Sequence, residues 1–315
     1  MTAVAPKKQS RIGSFLRFLK RDFQRHWGIY VMFLPVLVYF IIFHYYPLYG
    51  AQIAFKDYIP IKGIEGSKWV GFKHFNSFFN GLYFGRLMRN TLLLSLYQLA
   101  FGFPAPIILA LLMNEVRNRT FKRVVQTVTY LPYFVSIMVV CSLVINFTSV
   151  NGLINDFIEA FGGKRSSLLL NPDNYRTIHI ASGIWQNMGW NSIVYMAALS
   201  AVDQQLYEAA VIDGANRWQQ TIHVTHPGIV PTIVIMLIMR LGQIMNIGFE
   251  KVILLYNDAT LETADVISTY VYRRGLLDSA YSFSAAVGLF NSVVNTALLV
   301  GANTISRKLN ETSLF

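Results

Sequence analysis

Charge is what this chain has least of. Only 14% of its 315 residues are Asp, Glu, Lys or Arg, where a soluble domain carries about 25%, and 54% are apolar. A chain of this length in water needs more charge to cover its surface; a chain whose solvent is lipid does not. Cysteine is nearly absent as well. The single one, Cys141, stands in an apolar run, which excludes an internal disulfide and a cysteine metal cluster and leaves the role of a small buried hydrophobe. The six histidines are scattered, and the one close pair, His223 and His226, has no further ligand beside it, so no metal site is expected. No G-x-x-x-x-G-K-[ST] phosphate loop, H-E-x-x-H, G-x-S-x-G or EF-hand pattern occurs. The nearest look-alike, Gly162-Gly163-Lys164, lacks the first glycine and the full spacing. The chain is therefore expected to carry no catalytic residue and to bind no cofactor of its own.

What is abundant is apolar sequence in long blocks. A bilayer core takes about 20 apolar residues as helix, and six segments approach that length, roughly 27–48, 91–113, 125–147, 178–200, 228–249 and 281–303. The first three hold no Asp, Glu, Lys or Arg. The last three carry Gln, Asn and Ser, as expected of helices that face other helices or a water-filled path. The first span has a basic flank, but it is longer than a signal-peptide core and no small-residue cleavage site follows it, so it reads as a retained helix. The fold class is thus all-α: a polytopic membrane bundle of about six transmembrane helices in a single domain, 27–303, between an N-terminal arm, 1–26, and a tail, 304–315.

The net charge is +11, but no nucleic-acid-reading motif accompanies it. The basic residues lie beside apolar spans instead, which suits anionic lipid head groups. Lys7, Lys8, Arg11, Arg17, Lys20, Arg21 and Arg25 precede the first span, and Arg117, Arg119, Lys122 and Arg123 fill the loop 114–123. By the positive-inside rule these flanks are cytoplasmic. Arg307 and Lys308 follow the last span, so both termini and the loop 201–227 share that side. Within the arm, Ile12, Phe15, Leu16, Leu19, Phe23 and Trp27 recur at helical spacing with Arg17, Lys20, Arg21 and Arg25 on the other faces. That pattern predicts an amphipathic helix lying in the head-group region, as an anchor or a partner contact.

The loop 201–227 has its own local logic. Asp203 is a helix N-cap residue, Gln204 to Ile212 are mostly good helix formers, and Asp213-Gly214 is a turn signal that suits a left-handed helix end. A second amphipathic stretch runs from Ala215 to Thr225, ahead of Pro227. The prediction is a compact helix–turn–helix element. Glu208-Ala209-Ala210, three residues, Gly214, nine residues and Val224-Thr225-His226-Pro227 resemble the EAA loop of the membrane subunits of bacterial ABC importers. The family pattern ends I-x-L-P; Val224 is a conservative departure, whereas His226 puts a polar ring where an apolar contact is usual.

The resemblance implies a role and a set of partners. Glu208, Ala209, Ala210, Asp213, Gly214, Trp218 and Pro227 would form the contact with a separate ATPase, with Glu208 pairing with a basic residue, Ala209 and Ala210 allowing close approach, and Gly214 making the bend. ATP and Mg would be bound by that ATPase, present in two copies. A second homologous permease chain, an extracellular solute-binding protein and the lipid of a bacterial cell membrane would complete the assembly.

Two further stretches narrow the solute. Phe33–Gly50, and Arg240 to Asn257 followed by Glu262 to Arg273, resemble the polysaccharide-permease branch of carbohydrate importers, relatives of the maltose-type subunits. An oligosaccharide path is compatible with the side chains. Span four offers Trp185, Asn187, Trp190, Asn191 and Tyr195, and span five offers Gln243 and Asn246. Asn187, Asn191 and Tyr195 are four apart and share a helix face. Two roles are open to these groups: binding sugar hydroxyls, or hydrogen bonding between helices. Arg240 is the one charged residue well inside a span, and it too has two readings, an acidic sugar or a carboxylate of a partner subunit. The competing functions are an ABC permease for a non-sugar solute, an ion-coupled carrier and a membrane enzyme. A carrier usually shows an intramembrane carboxylate, and no Asp or Glu sits mid-span here; an enzyme needs converging catalytic groups, and none converge.

Overall fold

A computed structural model describes residues 11–310, with side chains over 21–308. The arm residues Lys7 and Lys8, the side chains of Ile12, Phe15, Leu16, Leu19, Arg11, Arg17 and Lys20, and tail residues 311–315 lie outside the described part. Helix α1, Arg11–Phe40, kinks at His26, where the Asp22 carboxylate bonds the ring Nδ1 of His26 at 3.0 Å and accepts from the Tyr30 hydroxyl at 2.6 Å. The helix runs on through a π-helical turn, Ile41–Tyr45, and α2, Tyr46–Leu48. Within the candidate span Arg21–Phe55, none of the most apolar window is buried against the rest of the chain.

The expected loop 49–90 contains the only strands among the described residues. β1, Lys56–Ile59, pairs antiparallel with β2, Gly63–Trp69, so the regular structure of the described residues is helical apart from one hairpin. Gly63, at φ +67, turns it. Lys73 of α3, Lys73–Phe79, clamps the hairpin by bonding Asp57 at 2.7 Å and 2.9 Å; that hydrogen bond and the charges of Lys73 and His74 hold the Asp57 carboxyl below its ordinary range.

Span two is α4, Phe84–Tyr97, a π-helical turn Gln98–Gly102, and α5, Pro104–Glu115. The expected continuous span over 125–147 is instead two helices, α6, Arg119–Tyr130, and α7, Ile137–Thr148. Pro132 cannot donate to a helix ladder, and Ser136 caps a new start through a bond from the Val139 amide. α8, Leu153–Ala160, follows. α9, Pro172–Ser200, opens with Asn171 as its cap and proline in its first turn; at 29 residues and about 1.5 Å per residue it spans a bilayer. Five segments are long and apolar enough to cross: Arg21–Phe55, Phe84–Glu115, Ile137–Ala160, Arg217–Leu241 and Tyr281–Lys308. The polar α9 completes the expected six.

α9 is polar because it is the axis of the bundle. Tyr175, His179, Ile180, Gly183, Gln186, Gly189, Ser192, Tyr195 and Leu199 are its buried positions, and apart from the adjacent His179 and Ile180 they recur every three or four residues. Leu199 and Tyr195 pack with Ala110 of α5 and Ile229, while Tyr175 and Ile180 pack with Leu94, Val144 and Val252. Gly189 lets α9 touch the backbone of α6: a Cβ there would overlap the Thr129 carbonyl oxygen. Small residues at such crossings permit close helix approach in membranes. Gly189→Leu is therefore expected to separate α6 from α9, and the detergent-purified variant should lose most of its monodisperse yield in size-exclusion chromatography.

The remaining elements are α10, Gln204–Ile212, α11, Arg217–Gln220, a π-helical turn Thr221–Thr225, and α12, His226–Leu241. Then come α13, Phe249–Leu255, α14, Leu261–Ala264, α15, Ile267–Tyr272, and α16, Tyr281–Asn310. The expected span 228–249 stops early, because helix geometry ends at Leu241 and residues 242–248 are turns and extended chain. Backbone without a helix at membrane depth must find partners within the protein, and here it does. The Ile244 carbonyl accepts from the Ser95 hydroxyl, the Met245 amide donates to Asn295 Oδ1 at 3.0 Å, and the Ile247 carbonyl accepts from Ser268 at 2.8 Å.

Beyond that segment, Asp265 fastens the loop between α13 and α15 to span two, and Asn90 ties the same loop to span four. Its buried carboxylate accepts from Arg273 at 2.7 Å, Arg86 at 3.1 Å and the Thr269 hydroxyl at 2.8 Å. Asn90 of α4 donates to the Glu262 and Asp265 carbonyls and accepts from Arg176 of α9.

Candidate functional site

Two places in the fold gather the residues singled out above. The first is a cavity of about 460 Å³ between span two, α9, α12 and the unwound 242–248 segment. Asn187, Asn191 and Tyr195 of α9 all reach it, as do Arg240, Gln243 and Asn246. Each arrives for a local reason. The four-residue spacing aligns the first three on one face of α9. Gln243 and Asn246 line the cavity because the chain has left the helix there, with Asn295 donating to Asn246 Oδ1 at 3.1 Å. Asn187 donates to the Gly183 carbonyl at 2.9 Å. Broken helices at the bundle interior are where many transporters put their solute.

The two tryptophans lie elsewhere. Trp185 borders an apolar groove with Leu143, Phe147 and Ile154. Trp190 stacks on Tyr133 with ring centroids 4.7 Å apart and planes 6° from parallel. Conversely, the cavity wall includes groups that the sequence reasoning passes over: Gln98 on the π-helical turn, His179, and Lys251 of α13. Gln98, an amide within an otherwise apolar span, is a signal available in the sequence. Lys251 gives none, since its direction depends on where α13 turns back. Among the described residues no Asp or Glu lines the cavity, and neither Arg240 nor Lys251 forms an ion pair.

The second place is the knob formed by α10, α11 and the π-helical turn after them. Asp203 Oδ1 accepts from the Gln205 amide at 2.9 Å and starts α10. Gly214, at φ +77, ends it, and the Ala215 amide reaches back to the Ala210 carbonyl at 2.8 Å, the long bond of a Schellman ending. Asn216 and Gln219 then cap α11 reciprocally at 2.9 Å and 2.8 Å. The inside of the knob is locked: the Tyr207 hydroxyl meets Thr225 Oγ1 at 3.0 Å, and Gln220 donates to the Ala215 carbonyl at 2.8 Å. Its outside is open. Glu208, Ala209, Asp213, Gly214, Trp218 and Pro227 are exposed and Ala210 is half-buried. Ile212 and Trp218 are 85% and 71% exposed, although both are apolar. Glu208 has no ion pair among the described residues. His226, the departure from the family pattern, is exposed at the first position of α12, where its ring does not disturb the core.

Residues 102–310 match the family described as the binding-protein-dependent transport system inner membrane component. Protein LplB of Bacillus subtilis (strain 168) is 46% identical over 303 residues, covering 96% of this chain and 94% of that protein. The polygalacturonan/rhamnogalacturonan transport system permease protein YteP of the same strain is 43% identical over 314 residues, covering 99% of this chain and 96% of that protein. The crystal structure of a bacterial ABC transporter involved in the import of the acidic polysaccharide alginate has a chain that superposes with a TM-score of 0.85 at 45% identity, covering 93% of this chain and 99% of that one. A crystal structure of the bacterial alginate transporter in complex with an alginate pentasaccharide-bound periplasmic protein gives a TM-score of 0.86. Likeness over nearly the whole chain, on a bundle with a broken fifth span and a protruding helical knob, puts this multi-pass membrane protein in the binding-protein-dependent inner-membrane component family, as a permease subunit of an ABC importer whose ATP is hydrolysed by a separate subunit.

Proposed function

We propose that this chain forms half of a translocation path for oligosaccharides or polysaccharide fragments, those bearing uronate groups above all. The observation that carries this reading is the cavity wall. Side-chain amides of Asn187, Asn191, Gln243, Asn246 and Gln98 stand beside two cations and no carboxylate. Amides donate and accept together, which matches sugar hydroxyls, and an unbalanced positive field favours an anionic solute. The names of the alginate and polygalacturonan/rhamnogalacturonan relatives support the same class.

In this reading a second, homologous permease chain supplies the other half of the path. Two copies of the ATPase bind ATP and Mg and seat against the exposed face of α10 and α11, and a solute-binding protein delivers cargo on the opposite side. The basic flanks of the first span and of α6 then lie in the cytoplasm, with both termini. The test is uptake by proteoliposomes holding the complete transporter, with ATP inside and the companion binding protein outside. Radiolabelled oligouronides are expected to accumulate in an ATP-dependent manner and labelled amino acids are not. Accumulation of amino acids without saccharide would replace this proposal with that of a non-sugar permease.

A further inference from the structure

We infer that Lys251 is a specificity-determining residue that reads a carboxylate of the cargo in the cavity, with Arg240 as the second cation. This rests on the saccharide reading above and goes beyond it by assigning the charge recognition to one side chain.

α13 starts immediately after the unwound segment, and its Val252 and Leu255 are buried in the core formed with Leu94, Val144 and Tyr175. That packing fixes the helix and turns Lys251 toward α9. There the ammonium donates to the His179 backbone carbonyl at 2.8 Å. Gly183, one turn along α9, supplies the room: a Cβ at Gly183 would stand 3.1 Å from Lys251 Nζ and 3.7 Å from Gln98 Oε1. The side chain is thus held by packing, by one hydrogen bond and by the absence of a neighbouring side chain.

An ammonium has three donors. One is used on His179, and the side chain lines the cavity, where a solute group can take another. Ionisable side chains inside a membrane bundle pair with one another or with backbone carbonyls and mark solute pathways; Lys251 has the His179 carbonyl, and among the described residues no Asp or Glu lines the space to balance its charge. Arg240 faces the same cavity from α12, likewise without an ion pair among the described residues. Glu250, the next residue to Lys251, is exposed and is not part of the wall. A uronate entering the cavity would bring the missing negative charge, and the surrounding amides would take its hydroxyls.

The test uses the complete transporter in proteoliposomes with its binding protein. Free-acid oligogalacturonate is compared with the fully methyl-esterified form, each at a concentration that saturates the binding protein. Lys251→Gln is expected to reduce uptake of the acid at least tenfold while changing uptake of the ester less than twofold, with ATP hydrolysis stimulated by liganded binding protein retained. Lys251→Arg is expected to recover uptake of the acid to within about threefold of the parent, which a purely structural lysine beside Gly183 would not do. Equal loss of acid and ester in Lys251→Gln, or unchanged uptake of the acid, overturns the assignment while leaving the saccharide reading in place. Failure of the parent transporter to take up either saccharide removes that reading and this one with it.

Discussion

Replacing Glu208 with alanine is expected to leave the transporter assembled and ATP hydrolysis measurable, but to cut ATP-driven uptake at least tenfold. Glu208 stands exposed on α10, without an ion pair among the described residues, beside Ala209 and a groove lined by Ala210, Asp213 and Gly214. On the proposal that an ATPase covers the knob, this carboxylate would be desolvated against a basic residue of that subunit. Removing one partner of a charge pair so buried would cost about 3–5 kcal/mol, more than enough to weaken transmission of the ATPase cycle. Gly214→Asp is expected to act by a second route. Its φ of +77 strains any residue with a Cβ by about 1–3 kcal/mol, and the new charge lies next to Asp213. Both variants should be compared for uptake and for ATP hydrolysis in the same proteoliposomes. Parent-level uptake in both would remove the knob from the coupling mechanism.

The second large effect belongs to Asp265. Its carboxylate has no solvent exposure, while its partners Arg86 and Arg273 are 29% and 26% exposed. Asp265→Ala leaves the Arg86 and Arg273 guanidiniums facing each other without their shared carboxylate, while the Thr269 hydroxyl keeps the Val266 carbonyl. Breaking a buried pair on one side costs about 3–5 kcal/mol, and partial hydration of the two arginines places the expected loss near the lower end. The readout is the thermal unfolding midpoint of the purified transporter, which should fall by several degrees in Asp265→Ala and by less in Asp265→Glu. An unchanged midpoint would mean that Asn90 and Arg176 hold the loop by themselves.

The knob, the cavity and the Asp265 network differ in how much of them the sequence discloses, and the difference is physical. The knob is built from local chemistry: a cap at Asp203, a left-handed glycine at 214 and a reciprocal cap between Asn216 and Gln219 all act within a few residues, so spacing alone predicts it. The cavity is only half local. Asn187, Asn191 and Tyr195 follow from helix periodicity, and so, in principle, does the separation of Trp185, since about 100° per residue puts it on nearly the opposite face of α9 from Asn187. Aromatic identity suggests a sugar platform but carries no direction. Gln98 reaches the wall through a π-helical turn, Lys251 through a helix that follows an unwound segment, and Pro132 splits a span that hydropathy reads as continuous. The Asp265 network joins residues up to 179 positions apart, beyond the reach of any pattern in a single sequence.

The free first helix has a consequence of another kind. Since none of the apolar window of Arg21–Phe55 is covered by the other described residues, the tilt and rotation of that helix are set by lipid or by a neighbouring subunit. Where that neighbour is a subunit, the helix's contribution to stability is a function of how much of it the membrane holds, as in any obligate oligomer. For this segment, the persistence of the folded subunit would then be a matter of stoichiometry in the cell as much as of its own amino acids.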